Sequence, residues 1–305
     1  MSQTDLARSQ TLSHGVHRTN ALADAKHRSE WSIAARRFAR NKLALVGAAV
    51  IVVLIVCAVF APLLAPQDPT KMHPRQRLAS PGASFLLGSD EMGRDIVSRL
   101  IYGARISLEV SLLSVGIALV VGTTLGTLAG FYPGWIDNGV MRLMDVIFAF
   151  PDILLAIAIM AVLGSSLRNV MLAIGIVYIP IFARTTRAMV LTVKEQPYVE
   201  AARSIGVSGM RLAARHILPN AAAPILVQVT LLLGFAIVVE AALSFLGLGT
   251  QPPNPSWGIM LSDGRGFMEV APWLAIFPGV TVFLAVLSFN IVGDALREAL
   301  DPNLR

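Results

Sequence analysis

Residues 110–131 read VSLLSVGIALVVGTTLGTLAGF and carry no charged side chain. An α-helix needs about 20 apolar residues to cross the ~30 Å hydrocarbon core of a bilayer, so this stretch is long enough to span a membrane. Gly122, Gly126 and Gly130 recur at every fourth position, a spacing of small residues that lets two helices approach closely. The stretch therefore predicts a membrane-spanning helix that packs tightly against a neighbour.

The rest of the chain repeats this apolar pattern. Only 14% of its 305 residues are charged and 55% are hydrophobic, whereas a soluble domain usually carries about 25% charged residues. We therefore predict an all-α transmembrane fold with six membrane-spanning helices. The predicted spans are residues 43–64, 110–131, 146–163 (beginning nearer Val140), 169–183, 221–248 and 270–292.

The first predicted span follows a polar N-terminal tail, residues 1–42. In the last part of this tail, Arg36, Arg37 and Arg40 alternate with apolar residues, which predicts a short amphipathic helix on the membrane surface. The block 43–64 is too long for the core of a signal peptide, and no small-residue cleavage site follows it. We therefore expect it to be a retained span.

Composition also sets the remaining boundaries. Residues 65–105 are polar and rich in proline, residues 106–295 form a core with five predicted spans, and residues 296–305 form a charged tail. With the N-terminus inside, roughly two thirds of the 25 Lys and Arg residues lie in cytoplasmic segments, as the positive-inside rule requires. This predicts an inner-membrane protein with both termini in the cytoplasm, a periplasmic 65–105 segment and a cytoplasmic 188–220 segment.

Several classes of function lack their residues in this sequence. Cys57 is the sole cysteine, and none of the five histidines lies in a predicted span. The chain has neither the H-E-x-x-H pattern of a zinc protease nor the G-x-x-x-x-G-K-[ST] pattern of a phosphate-binding loop. We expect no enzyme activity and no bound metal or cofactor. The net charge of +6 is explained by cytoplasmic loops facing lipid, so no nucleic acid partner is expected.

The longest polar stretch of the second half contains YVEAARSIG at 198–206 and HILPN at 216–220. Glu200 to Ser204 are good helix formers, and Gly206 suits a helix C-terminus or a close approach. Residues 210–217 predict a second short helix that is stopped by Pro219. The result would be an exposed helical hairpin whose small residues let another protein's backbone come close.

This stretch resembles the cytoplasmic loop of ATP-binding cassette (ABC) importer permeases, with the pattern E-A-A-x-x-x-G followed by I-x-L-P. In this chain, Ile217 stands directly before Leu218, a small departure from that form. The resemblance implies a coupling helix that docks into a cleft on an ATPase subunit. The residues that carry it are Glu200, Ala201, Ala202, Gly206, Ile217, Leu218 and Pro219.

Other motifs are similar to the dipeptide, oligopeptide and nickel subfamily, and to its second, C-type permease subunit. The likeness covers roughly residues 35–305, including LGSD at 87–90, SRLIYGAR at 98–105 and LSFLGLG at 243–249. It implies a type I importer fold and alternating access. The implied partners are a different permease chain, two ATPase subunits that hold ATP and Mg²⁺, and an external solute-binding protein.

Two carboxylates, Glu240 and Asp152, lie inside predicted spans, and both are candidates for lining the pathway or a gate. Glu240 could line the pathway or a gate, or it could be hydrated near the outer interface. Asp152 follows Pro151 and could pair with Arg184 or Arg187, or simply begin a helix after the proline break.

Two outer regions are candidate docking sites for a binding protein. The first is the charged turn with Asp90, Arg94 and Asp95, for which a solvated, capped turn is the alternative. The second is the proline-stiffened loop with Pro253 and Trp257, where the indole suits a membrane interface.

The sequence leaves the transported solute open. Di- or oligopeptides are the main expectation, with glutathione or chelated nickel as alternatives within the same class of importer. A secondary transporter driven by an ion gradient is the alternative from another class, and it would predict paired intramembrane carboxylates or an inverted repeat. Neither is visible in the sequence.

Overall fold

The structure, a computed structural model, describes residues 30–300, except for the side chains of residues 30–34, 210, 214 and 216. Most of the N-terminal tail and the last five residues lie outside this range. The helices are α1 (Glu30–Arg40), α2 (Lys42–Val59), α3 (Ala61–Leu64), α4 (Ile96–Phe131), α5 (Trp135–Phe148), α6 (Asp152–Leu163), α7 (Leu167–Lys194), α8 (Pro197–Ser204), α9 (Gly209–Leu212), α10 (Leu218–Phe245), α11 (Trp257–Arg265) and α12 (Trp273–Leu300). Within residues 30–300 there is no β-strand, only an isolated bridge between Ser89 and Asp95.

Five of these helices, α2, α4, α7, α10 and α12, are long and apolar enough to cross a membrane. The predicted third span is different because it is broken into α5 and α6, which meet at an angle of 92°. The break lies at Pro151, which has no N–H to donate and disfavours helical backbone at Phe150. The described chain therefore has five continuous spans, and six if the bent pair counts as one.

Three spans, α4, α7 and α12, are longer than predicted. Helix α4 begins at Ile96 because the Asp95 side chain caps its first turn, accepting a hydrogen bond from the Ser98 amide at 2.8 Å. The predicted outer segment 65–105 thus ends in helical backbone. Helix α7 continues through Pro180 as far as Lys194, well beyond the predicted end at Ala183.

The predicted close packing of α4 is confirmed. A Cβ atom built on Gly122 would lie 2.6 Å from the Cβ of Phe182, and one on Gly130 would lie 2.8 Å from the Cβ of Val190. Both neighbours belong to α7, so the small residues of α4 set the distance between the two helices. Helices α6, α7 and α10 enclose the main core with α4, and α12 packs on α10, α2 and α1.

Candidate functional site

Helix α8 lies at the C-terminal end of α4, where α4 and α7 leave the bundle. Its inner face buries Val199, which is 0% exposed, and Ala202. These side chains join Val190 and Val193 of α7, together with Leu212 and Ile217, in a small apolar cluster. The cluster fixes α8 to the end of α7, so the segment is a packed unit and not a loose loop.

Gly206 ends α8 in the manner that the sequence predicts. Its φ of +83° lies in the left-handed region that favours glycine. The Gly206 amide donates to the Arg203 carbonyl at 3.0 Å, and the Val207 amide donates to the Ala202 carbonyl at 3.2 Å. This pair of bonds is the Schellman motif, which turns the chain sharply after the helix.

The outer face of α8 is open. Glu200 and Ala201 are exposed, whereas Ala202 faces inward, so the E-A-A pattern divides between surface and core. Ile205, at the tip of the turn, is 83% exposed, and Tyr198 is also exposed. Sequence reasoning did not single out these two residues. For Ile205, the sequence signal was the glycine that forms the Schellman turn, because this turn carries Val207 inward and leaves the residue before the glycine exposed.

Pro219 does not stop a helix, so that prediction is wrong. The chain is helical from Gly209 onward, through a π-helical turn at Ala213–Ile217 and directly into α10. In this turn the Leu218 amide donates to the Ala213 carbonyl, five residues back. Pro219 lies just after this π-helical turn, where the altered hydrogen-bond register accommodates a residue without an N–H to donate. Ile217 is buried, Leu218 is half-buried and Pro219 is exposed.

Glu240 is enclosed between helices and is 0% exposed. Its carboxyl group accepts hydrogen bonds from Ser107 of α4 at 2.9 Å and from Ser244 of α10 at 2.7 Å. The Ser256 hydroxyl, just before α11, is a third hydrogen-bond partner. Glu240 therefore joins three elements. Within the described chain, Glu240 lies away from the surface. Its role in a pathway or gate remains a prediction.

Asp152 is exposed at the start of α6 and does not pair with Arg184 or Arg187. Those arginines bind α5 instead: Arg184 contacts Asp145 at 2.6 Å, and Arg187 contacts both carboxylate oxygens of Asp137 at 2.6 and 2.7 Å. The two ion pairs hold α5 against α7 up to the break. The structure therefore supports Asp152 as a residue that begins a helix, and its role in a pathway or gate remains a prediction.

The charged turn before α4 is buried. Asp90 and Arg94 form an ion pair and are each 4% exposed, and Asp95 is 2% exposed. Arg99 lies 3.5 Å from Asp90 and 3.6 Å from Asp263 of α11, which ties the turn to α11. Burial is the main cause that raises the pKa of Asp263, and both arginines oppose it. These buried side chains leave little surface for a docking partner. The alternative prediction, a solvated and capped turn, does not describe them either.

Trp257 lies in the interior and not at an interface. It is 0% exposed, its indole N–H donates to the Leu100 carbonyl at 3.1 Å, and it packs where Gly103 leaves room on α4. Pro253 is exposed, as a docking residue must be. The predicted loop therefore separates into an exposed proline tip and a buried tryptophan anchor.

Comparison with known families places these features in one class of protein. Residues 122–305 match the family described as binding-protein-dependent transport system inner membrane component. Residues 29–81 match the N-terminal transmembrane domain of oligopeptide transport permease C. The chain belongs to this permease family. The predicted membership, an ABC importer permease of the C type, is confirmed.

Close relatives extend over almost the whole permease. The dipeptide transport system permease protein DppC of Alkalihalophilus pseudofirmus is 49% identical over 277 residues, which cover 91% of each chain. The glutathione transport system permease protein GsiD of Pectobacterium atrosepticum is 45% identical and covers 93% of this chain and 95% of that one. The di/tripeptide permease DppC of Pseudomonas aeruginosa is 48% identical, covering 88% of this chain and 90% of that one.

The permease fold is also known from a solved structure. The inward-facing MetNI methionine ABC transporter contains a chain that superposes with a TM-score of 0.54 at 19% identity, covering 66% of this permease and 96% of that chain. This likeness confirms the predicted type I importer fold. As a family member the protein is an integral inner-membrane component without catalytic activity of its own. Permeases of this kind work with a second permease, an ATPase and a binding protein, which sets aside the ion-gradient-driven transporter.

Proposed function

We propose that this chain is one half of the membrane channel of a peptide importer, driven by partner ATPase subunits through the α8 segment. The peptide cargo is supported by relatives named for dipeptides and for di- and tripeptides. Glutathione is the second candidate, because relatives of similar identity are named for it. Uptake of radiolabelled Ala-Ala and of glutathione by the complete transporter separates the two.

The observation that carries the coupling role is the division of α8 into two faces. Val199 and Ala202 lock the helix to the end of α7, so a force on α8 reaches the bundle. Glu200, Ala201 and Ile205 leave an exposed tip with an apolar point, which suits insertion into a cleft of another protein. In this proposal Gly206 keeps the tip narrow, while Ile217, Leu218 and Pro219 join it to α10.

The proposed assembly contains a second, different permease chain, two ATPase subunits and an external binding protein. ATP and Mg²⁺ are held by the ATPase subunits, and this chain binds no cofactor. The distribution of Lys and Arg supports placing both termini and α8 in the cytoplasm. ATP-driven closure of the ATPase subunits would draw the α8 segments together and open the pathway outward.

The opposite end of the bundle would receive the binding protein. Its proposed docking point is the exposed tip at Pro253, supported from below by buried Trp257. The ion pair of Asp90 and Arg94, together with the Asp95 cap of α4, would hold this outer end in shape without touching the partner.

Replacing Ile205 with glutamate tests the coupling role. The side chain is 83% exposed, so the substitution spares the fold but places a charge on the proposed contact. Leu246 is the matched control, because it occupies the same position in a second glycine turn at the far end of α10 and is 56% exposed. We expect Ile205→Glu, but not Leu246→Glu, to reduce co-purification of the ATPase subunits and ATP-driven uptake. Equal behaviour of the two variants would remove the coupling assignment.

A further inference from the structure

A cavity of about 530 Å³ opens at the end of the bundle opposite to α8. Its walls come from the turn after α3, from the first part of α4 and from the loop before α11. The lining residues used below are Asp68, Tyr102, Arg105, Ile106, Glu109 and Asn254. The volume falls within the range of about 300–1,000 Å³ that is usual for small-molecule sites.

The α4 wall presents one stripe of side chains. Tyr102, Arg105, Ile106 and Glu109 are spaced by three or four residues, so they lie on the same face of the helix. Arg105 and Glu109 are exposed. Among the ion pairs within 4 Å in the described part of the chain, none includes either of them. Both charges are therefore available to a ligand.

The charges of the cavity select for a ligand with two opposite charges. Arg105 supplies one cation, and Glu109 and Asp68 supply two carboxylates. Hydrogen bonds from Thr70 lower the pKa of Asp68, with the larger effect from the Thr70 hydroxyl and the smaller from its backbone amide. This carboxylate therefore stays ionised. The two carboxylates outnumber the guanidinium, so the cavity attracts a cationic group and repels a simple anion, while Arg105 offers a partner for an anionic group on the same ligand.

The spacing of the two residues along the α4 backbone is close to the length of a short peptide. Four residues of helix separate Arg105 from Glu109, a rise of about 6 Å along α4. The termini of an extended dipeptide lie about 7 Å apart. We propose that this cavity binds the charged ends of a short peptide, with Arg105 holding its α-carboxylate and Glu109 its α-ammonium group. The inference rests on the proposed function and deepens it, because it assigns recognition of the peptide's charged ends to this chain.

Cysteine protection tests the site without the binding protein. In a complete transporter carrying Cys57→Ser and Asn254→Cys, the rate of maleimide labelling of this chain is measured at rising concentrations of Ala-Ala. Two analogues are compared: N-acetyl-Ala-Ala, which lacks the ammonium group, and Ala-Ala amide, which lacks the carboxylate. We expect Ala-Ala to protect the cysteine, with about tenfold more of either analogue needed, the loss expected for one charge-assisted contact.

Variants identify the two contacts. Arg105→Gln should raise the protecting concentration of Ala-Ala about tenfold and leave that of Ala-Ala amide unchanged. Glu109→Gln should also raise the protecting concentration of Ala-Ala about tenfold, but leave that of N-acetyl-Ala-Ala unchanged. Arg75→Gln is the matched control, because Arg75 is an exposed cation in the same outer segment that does not line the cavity. Equal protection by all three compounds, or no protection, overturns the proposal. Protection that is seen only when the nanodiscs contain phosphatidylethanolamine also overturns the proposal, because the headgroup of that lipid carries the same pair of charges.

Failure of this inference is distinguishable from failure of the coupling proposal. ATPase co-purification and ATP-driven uptake are measured on the same preparations. A transporter that couples normally but shows no protection lacks the peptide site only. A transporter that shows protection but loses no coupling in Ile205→Glu retains the site and lacks the α8 contact.

Discussion

Replacing Gly206 with alanine should uncouple the transporter at a small and measurable cost in stability. Alanine in left-handed backbone costs about 1–2 kcal/mol, and the lower entropy of the unfolded chain returns about 0.4–1 kcal/mol. A Cβ at Gly206 meets no atom within 4 Å, so no clash adds to this balance. The net destabilisation is about 1 kcal/mol, or about 2–4 °C in thermal unfolding.

Gly247 provides the control for that substitution. It closes α10 with the same motif: φ is +79°, its Cβ position is also open, and the Leu248 amide donates to the Leu243 carbonyl at 2.9 Å. Gly206→Ala and Gly247→Ala should therefore lower the unfolding temperature equally. Only Gly206→Ala adds a methyl group to the proposed ATPase contact, so it alone should lower binding-protein-stimulated ATP hydrolysis. If both variants hydrolyse ATP at the same rate, the contact does not include Gly206.

Three further substitutions test the packing and the charges. Glu240→Ala should destabilise the protein by about 2–3 kcal/mol, because it removes the acceptor shared by buried serine hydroxyls. Glu240→Gln should retain most of the stability. Similar unfolding temperatures for the two variants would contradict this prediction. Gly126→Val should cost at least about 1–3 kcal/mol, because its Cβ would clash with the Ala183 carbonyl oxygen and lie 2.9 Å from the Cβ of Thr186. Gly116→Val on the same helix should be neutral, because a Cβ there meets no atom within 4 Å. Burial raises the pKa of Glu91, so the folded state binds its proton more tightly, and stability should fall as pH rises through this pKa. Glu91→Gln should flatten that fall in pH-dependent unfolding, and an unchanged slope would show that Glu91 is not its source.

The apolar spans and the tight α4–α7 contact could be predicted because each depends on a local pattern. Uninterrupted apolar length reports a span directly, and the spacing of Gly122, Gly126 and Gly130 reports a close neighbour. Helix ends were harder to predict. Helix α4 begins at Ile96, nine residues before Arg105, because the Asp95 cap and a buried ion-pair network stabilise a polar first part of the helix outside the apolar stretch.

The surroundings of single polar residues could not be predicted from local patterns. Glu240 is satisfied by serines from distant parts of the chain, and Trp257 is buried because Gly103 leaves space for it on α4. Arg184 pairs with Asp145 and Arg187 with Asp137. Neither pairs with Asp152, which lies beyond the bend at Pro151. Each of these depends on contacts across many residues of sequence, which periodicity does not report.

The π-helical turn at Ala213–Ile217 has a mechanical consequence. It accommodates Pro219 without interrupting the helix, so Gly209 and Phe245 are the two ends of one continuous helix, about 55 Å long along its axis, which also contains Pro224. A loop at this point would dissipate a displacement by bending. In the proposed coupling, a continuous helix instead carries a displacement at its α8 end to the Glu240 junction near its other end, so that the α8 segment would act as the short arm of a lever and α10 as the long arm.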